Sequence, residues 1–142
     1  MYTQHQIDQT IAAIATAPGE GGVAVIRVAG KQSIEIVAKV FSGPIHSYSS
    51  HTAHLGKIVN IDRVIIDEVL ALVMRAPKSY TGEDVVEIHC HGGSLISRRV
   101  LETILEAGAR AAGPGEFTFR AFIHGKIDLV RLLLVQDLFF RV

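Results

Sequence analysis

The chain has 142 residues, 49% hydrophobic and 20% charged, with 14 Lys and Arg balancing 14 Asp and Glu. That is one domain's worth of chain, able to bury a core without staples, and its zero balance excludes a whole-surface electrostatic footprint for nucleic acid. One cysteine excludes an internal disulfide, the polar MYTQHQIDQT start lacks a signal peptide's apolar core, and no run reaches the ~18 apolar residues of a membrane span. A cytoplasmic, soluble domain with no membrane partner is expected.

Ile11 to Ala17 is a short apolar run that reads as a first strand. The turn Pro18-Gly19-Glu20-Gly21-Gly22 leads into Val23 to Val28, a second strand. Its glycines are no dinucleotide fingerprint, which needs them to open a helix rather than a β-branched run. Arg27 alternates with Ile26 and Val28, which places it on the polar face of that strand or at its end. Gly30 to Phe41 reads as a helix with one stripe of Ile34, Val37, Val40 and Phe41. After a Ser/Gly/Pro/His loop (42–50), His54 to Val59 and Ile65 to Met74 form two strands around a turn at Asn60 to Arg63. The second is apolar on both faces and is expected to be central in the sheet.

Ser79 to Gly93, SYTGEDVVEIHCHGG, carries the strongest candidate site. Tyr80-Thr81-Gly82 supplies a break, and Val85 to Cys90 is a β-run closed by Gly92-Gly93. Side chains alternate across a strand. Val86, Ile88 and Cys90 therefore share a core face, and Glu87, His89 and His91 share the other. A carboxylate and two imidazoles two residues apart can reach one ligand; they also suit a solvated face of an antiparallel sheet. As zinc ligands they lack a fourth partner.

Ser94 is the expected N-cap of a helix through Glu106, with Leu95, Val100, Leu101, Ile104 and Leu105 buried, Arg98 and Arg99 solvated, and Gly108 as its C-cap. Gly113-Pro114-Gly115-Glu116 is a turn, and Thr118 to His124 a short helix. Val130 to Val142 is apolar nearly all round, so a helix there must be buried or paired. The pattern G-x-x-x-x-G-K-[ST] occurs nowhere, so GTP binding through a P-loop is not expected.

Three stretches, IAAIATAPGEGGVAVIRVAG, APKSYTGEDVVEIHCHGG and GPGEFTFRAFIHGKIDL, lie in the order and spacing of one family. Over residues 8–129 the chain resembles the N-terminal domain of the MnmE (TrmE) family of tRNA-modification GTPases. The resemblance implies an α+β fold in two layers, a mixed or antiparallel sheet of about five strands with about three helices, related to folate-binding aminomethyltransferase domains. It implies a 1–129 folate-binding and dimerisation domain, followed by a divergent apolar tail, 130–142, where the family opens a helical domain. It further implies a homodimer that binds 5-formyl- or 5,10-methylene-tetrahydrofolate through Arg27, Glu87 and Lys126. No catalytic residue and no metal site is assigned. Potassium, magnesium and GTP would belong to the family's GTPase domain, while the MnmG flavoprotein and tRNA would be partners of the full-length protein, which carries a carboxymethylaminomethyl modification to the wobble uridine. Glu20 stands where the family has a basic residue, and His124 where Asn is commoner. The chain is accordingly expected to be a fragment, a frameshifted product or an altered form without GTPase activity of its own. Two other readings are a free-standing folate-dependent one-carbon transferase, using His89, His91 or Glu87 as acid or base, and a structural dimerisation domain.

Overall fold

The period-two alternation of residues 85–91 sets the architecture, because it places an apolar and a polar face on one strand in the middle of the sheet. The computed structural model describes the backbone of residues 2–19 and 21–140 and the side chains as far as Leu134. The strands are β1 (Ile11–Ile14), β2 (Val23–Ala29), β3 (Thr52–Val59), β4 (Ile65–Met74), β5 (Val85–His91) and β6 (Arg110–Ala111). They form one sheet in the order β3-β4-β5-β2-β1-β6. All neighbours are antiparallel except β1 and β6, which run parallel. The helices are α1 (Gln4–Asp8), α2 (Ser33–Ala38), α3 (Ser94–Glu106), α4 (Glu116–Ile123) and α5 (Leu129–Phe140), with a short 3-10 turn at Ile45–Ser47. The α+β class is as expected, with one more strand and two more helices than expected. The two-residue β6 and five-residue α1 are too short to show a periodicity.

One face of the sheet is the core. Ile26 and Val28 of β2, Val86, Ile88 and Cys90 of β5, and Val69, Ala71 and Val73 of β4 pack beneath α2 and α3. Ile26, Val28, Val86 and Ile88 are fully buried, each worth about 1.5–3 kcal/mol of transfer free energy. In α2, Ile34, Ile36 and Val37 are buried, and Val40 and Phe41 continue that stripe just beyond it. In α3, the buried residues are Ser97, Val100, Thr103 and Ile104. Leu95 corrects the expected stripe, being 62% exposed: two residues before Ser97, at ~3.6 residues per turn, it lies on the opposite side of the helix. The residue preceding α3 is Gly93 at φ 101, with no side-chain cap, so Ser94 is the first helical residue rather than the cap. The C-cap is Ala107 rather than the expected Gly108, which follows it at φ 128 and stops the helix from the next position.

The opposite face is only partly covered. Phe117 of α4, with Ala112, packs on Ile11, Ala29, Val85 and Met74 at one end. The rest of that face is open, with Val23 at 60%, Leu55 at 65% and Leu70 at 44% exposure. As expected, β4 is paired on both edges, but its second face is packed only at the Met74 end, with Leu70 left exposed. Beyond α4, Leu132 of α5 is buried, whereas Leu129, Val130, Leu133 and Leu134 are exposed. The apolar character expected from 130 onward is present as a helix, and 141–142 lie outside the described residues.

Candidate functional site

Arg27 and Glu87 are direct cross-strand partners in the β2–β5 register, so the sheet itself puts the two side chains on the same face. Arg27 Nε donates to Glu87 Oε2 at 3.0 Å, with side-chain exposures of 25% and 15%. Three-quarters or more withdrawn from water, this pair is screened less by salt than a surface pair. The Arg27 guanidinium carbon lies 5.1 Å from the Tyr80 ring centre and 5.4 Å from that of Phe117. Both distances are within cation–π range. Tyr80 reaches this position from the 79–84 loop, which the Thr81-Gly82 break allows, with Gly82 at φ 84. Its hydroxyl meets Thr118 Oγ1 at 3.0 Å, which joins the loop to α4.

Arg27, Tyr80, Phe117 and Thr118 line a cleft of about 370 Å³ together with Ala13, Ile14, Ala15 and the 112–116 turn. Glu87, bonded to Arg27, is not itself among the residues that line the cleft. Its Oε1 is 3.5 Å from His89 Nε2, and that nitrogen is buried without a hydrogen-bond partner. His91 faces the same way but is engaged elsewhere: Asp67 accepts from its backbone N–H at 2.8 Å and contacts its Nδ1 at 2.7 Å. The row of Glu87, His89 and His91 is therefore divided between Arg27 and Asp67. Among the described residues no group of three or more His, Cys, Asp or Glu could hold a metal ion.

Lys126 is not brought into this cleft. It is exposed just beyond α4, and its Cε lies 3.5 Å from where a Cβ on Gly82 would sit. It thus lies against the loop that carries Tyr80. His124 turns its Nδ1 toward the Arg120 carbonyl at 2.9 Å. Glu20 lies outside the described residues. A second cleft, about 520 Å³, opens between the β1–β2 turn and the start of α3, lined by Pro18, Gly19, Gly92, Ser94 and Arg98 among others.

Beneath the cleft lies a buried charge network that motif reading passed over. Glu116 and Arg120, one turn apart on α4, have fully buried side chains and meet at 3.3 Å. Arg110 forks onto Glu116 at 3.0 and 2.6 Å, and the Gly113 amide donates to it at 2.9 Å. Arg120 also donates to Glu83 Oε2 at 3.1 Å and to the carbonyls of Gln6 and Gln9 at 2.9 and 2.6 Å. Burial pushes the Glu116 carboxyl up, but the Arg110 hydrogen bonds, the Gly113 amide and the two cations outweigh it and hold it below the usual range. Such a buried set is tolerable only because nearly every charge is hydrogen-bonded; removing one member costs about 3–5 kcal/mol. The available sequence signal was a Glu and an Arg at i, i+4 on the apolar helix EFTFRAF.

A family model described as "GTP-binding protein TrmE N-terminus" matches residues 10–126. A tRNA modification GTPase MnmE of Protochlamydia amoebophila is 65% identical over 130 residues, covering 92% of this chain and 28% of the relative. The protein of the same name from Chlamydia felis is 55% identical over 131 residues, 92% of this chain and 29% of the relative. That of Chlamydia trachomatis serovar A is 53% identical over 131 residues, with the same two shares, 92% and 29%. The chain thus spans under a third of the length of these curated relatives. A match over most of its residues, falling on the strands and turns that build the Arg27 cleft, shows that the chain belongs to the TrmE N-terminal domain family.

Proposed function

We propose that this chain is the tetrahydrofolate-binding and dimerisation module of a tRNA-modifying GTPase. The observation that carries the reading is Arg27: a guanidinium tied through Nε to Glu87 and flanked by Tyr80 and Phe117 at the wall of a cleft. A reduced pterin is a flat bicycle bearing an amino group beside a ring N–H, plus carbonyl oxygens. Rings such as Tyr80 and Phe117 suit its faces. A fixed carboxylate accepts its paired donors, and a guanidinium suits its oxygens. At about 370 Å³ the cleft is near the low end of the ~300–1,000 Å³ of ligand pockets. It therefore suits the ring system, with the glutamate tail extending beyond its rim and exposed Lys126 as the second cation for the ligand's carbonyl, formyl or tail oxygens. When bound, the folate supplies the one-carbon unit; this chain's residues bind and orient it.

The open face bearing Val23, Leu55 and Leu70 is the surface we assign to the homodimer, since these three apolar side chains are left exposed on it beside the polar row of β5. In the longer relatives the module would act with the GTPase domain, the MnmG flavoprotein and tRNA in wobble-uridine modification. The expected compartment is the cytoplasm, and no helix among the described residues is long and apolar enough to cross a membrane.

Titration calorimetry with 5-formyltetrahydrofolate tests the reading. Saturable binding that Glu87→Ala and Arg27→Ala each weaken at least tenfold, in folded protein, is the expected result. Unchanged affinity in both variants would remove the site. Leu55→Glu with Leu70→Glu should convert the dimer to monomer in sedimentation; an unaltered dimer would place the interface elsewhere.

The His91–Asp67 contact favours a second reading, a free-standing one-carbon transferase, because a carboxylate on Nδ1 is how an imidazole is oriented as a base. That reading requires turnover of a methylene- or formyl-folate by the chain alone, and a null assay removes it.

A further inference from the structure

We propose that Arg120 is a positioning residue for the Arg27 cleft, holding its two aromatic jaws at a fixed separation. One jaw is Phe117 on α4, anchored by Glu116 next to it. The other is Tyr80 in the 79–84 loop, whose far end is Glu83. Arg120 bonds to both anchors, through Nη2 to Glu116 at 3.3 Å and through Nη1 to Glu83 at 3.1 Å. Within the loop, Ser79 Oγ donates to the Glu83 carbonyl and the Gly82 amide donates to Ser79 Oγ, while its end at Asp84 accepts from Gly30, Ser33 and Ala76. A pull on Glu83 is therefore carried to Tyr80 as a unit. The Tyr80–Thr118 hydroxyl contact at 3.0 Å is a second tie at the rim of the cleft, from the loop to buried Thr118 on α4.

The connection at Glu83 is a single bond. Arg120 Nε and Glu83 Oε1 are both buried without a hydrogen-bond partner, although their side chains are 0% and 11% exposed. No second contact between these two side chains duplicates the Nη1 bond, so one substitution cuts the tie. Arg120's remaining bonds, all through Nη2 to Gln6, Gln9 and Glu116, hold the guanidinium in place when Glu83 is truncated, while Nη1 loses its only partner. The perturbation should reach the jaw at a loss of stability, which Glu83→Gln limits by keeping an acceptor.

The ligand arm of the test rests on the folate reading above; the spectroscopic arm does not. In ¹H–¹⁵N spectra the Arg27 Nε–H, bonded to Glu87 and flanked by two rings, should give a resolved, ring-current-displaced signal. Glu83→Ala should return that signal toward the exposed arginines and weaken 5-formyltetrahydrofolate binding about tenfold. Glu83→Gln, which keeps an acceptor for Nη1, should give an intermediate position and affinity. Ile104→Val, a core change remote from the cleft, lowers the melting temperature but should move neither readout. A signal that stays in place in whichever Glu83 variant folds would overturn the positioning role, as would an equal displacement by Ile104→Val. If the signal moves as expected while no form of the chain binds folate, the positioning role stands and the folate reading fails.

Discussion

Substituting Gly92 tests whether the β1–β2 turn is held against the end of β5, as the structure requires. A Cβ on Gly92 would lie 1.6 Å from the Gly21 carbonyl oxygen and 3.0 Å from the Gly22 carbonyl carbon. Both obstacles are backbone, so no rotamer change relieves them. The turn must swing away, and the Gly92 N–H to Gly22 carbonyl bond of 3.1 Å goes with it. Overpacking costs about 1–3 kcal/mol and a lost hydrogen bond about 0.5–1.5 kcal/mol. Gly92→Ala should therefore destabilise by about 1.5–4.5 kcal/mol. Gly22→Ala is the matched control: its Cβ would meet nothing within 4 Å and its φ is not in the left-handed region. It should be neutral, or stabilising by about 0.4–1 kcal/mol through the unfolded chain. Urea unfolding of the three proteins, with the slope checked for constancy, measures the difference. Equal midpoints for Gly92→Ala and Gly22→Ala would refute the close approach of the two segments.

Acid should unfold the protein through Glu116. Its carboxyl is held below the ordinary 4.5 in the fold by Arg110, Gly113 and Arg120, against the opposing effect of burial. A depressed carboxylate contributes stability that is present above the unfolded value and lost as pH falls through the folded one. Stability measured by denaturant should thus decline below about pH 4.5, and Glu116→Gln should flatten that decline; an unchanged slope in the variant would remove Glu116 as its source. The lone thiol makes a simpler prediction. Burial, and then the Asp67 charge, push Cys90 up to about 11, and the side chain is 3% exposed on the core face. At pH 8 Cys90 should resist a thiol reagent in the native protein and react fully in denaturant. Rapid native labelling would mean that β5 opens without global unfolding.

Local sequence determined the elements and the faces. Alternation put Ile88 and Cys90 inside and Glu87 outside, the i, i+3, i+4 spacing of Val100 and Ile104 marked the buried side of α3, and Gly108 stopped it. These succeed because side-chain direction in a strand or helix is set by the backbone a few residues away. Leu95 failed since the helix phase, once fixed by Ser97, points it outward. What only the tertiary structure decided was which polar groups meet. Arg27 reaches Glu87 across 60 residues, His91 is claimed by Asp67, and Lys126 stands apart from both. Tyr80 and Phe117 become walls of the cleft only because β-sheet register and α4 docking bring their segments together. The Glu83–Arg120–Glu116 chain was hidden for the same reason: burying charge is favourable only when every partner arrives at once, and those partners come from α1, the 79–84 loop, β6 and α4, which only the folded chain brings together.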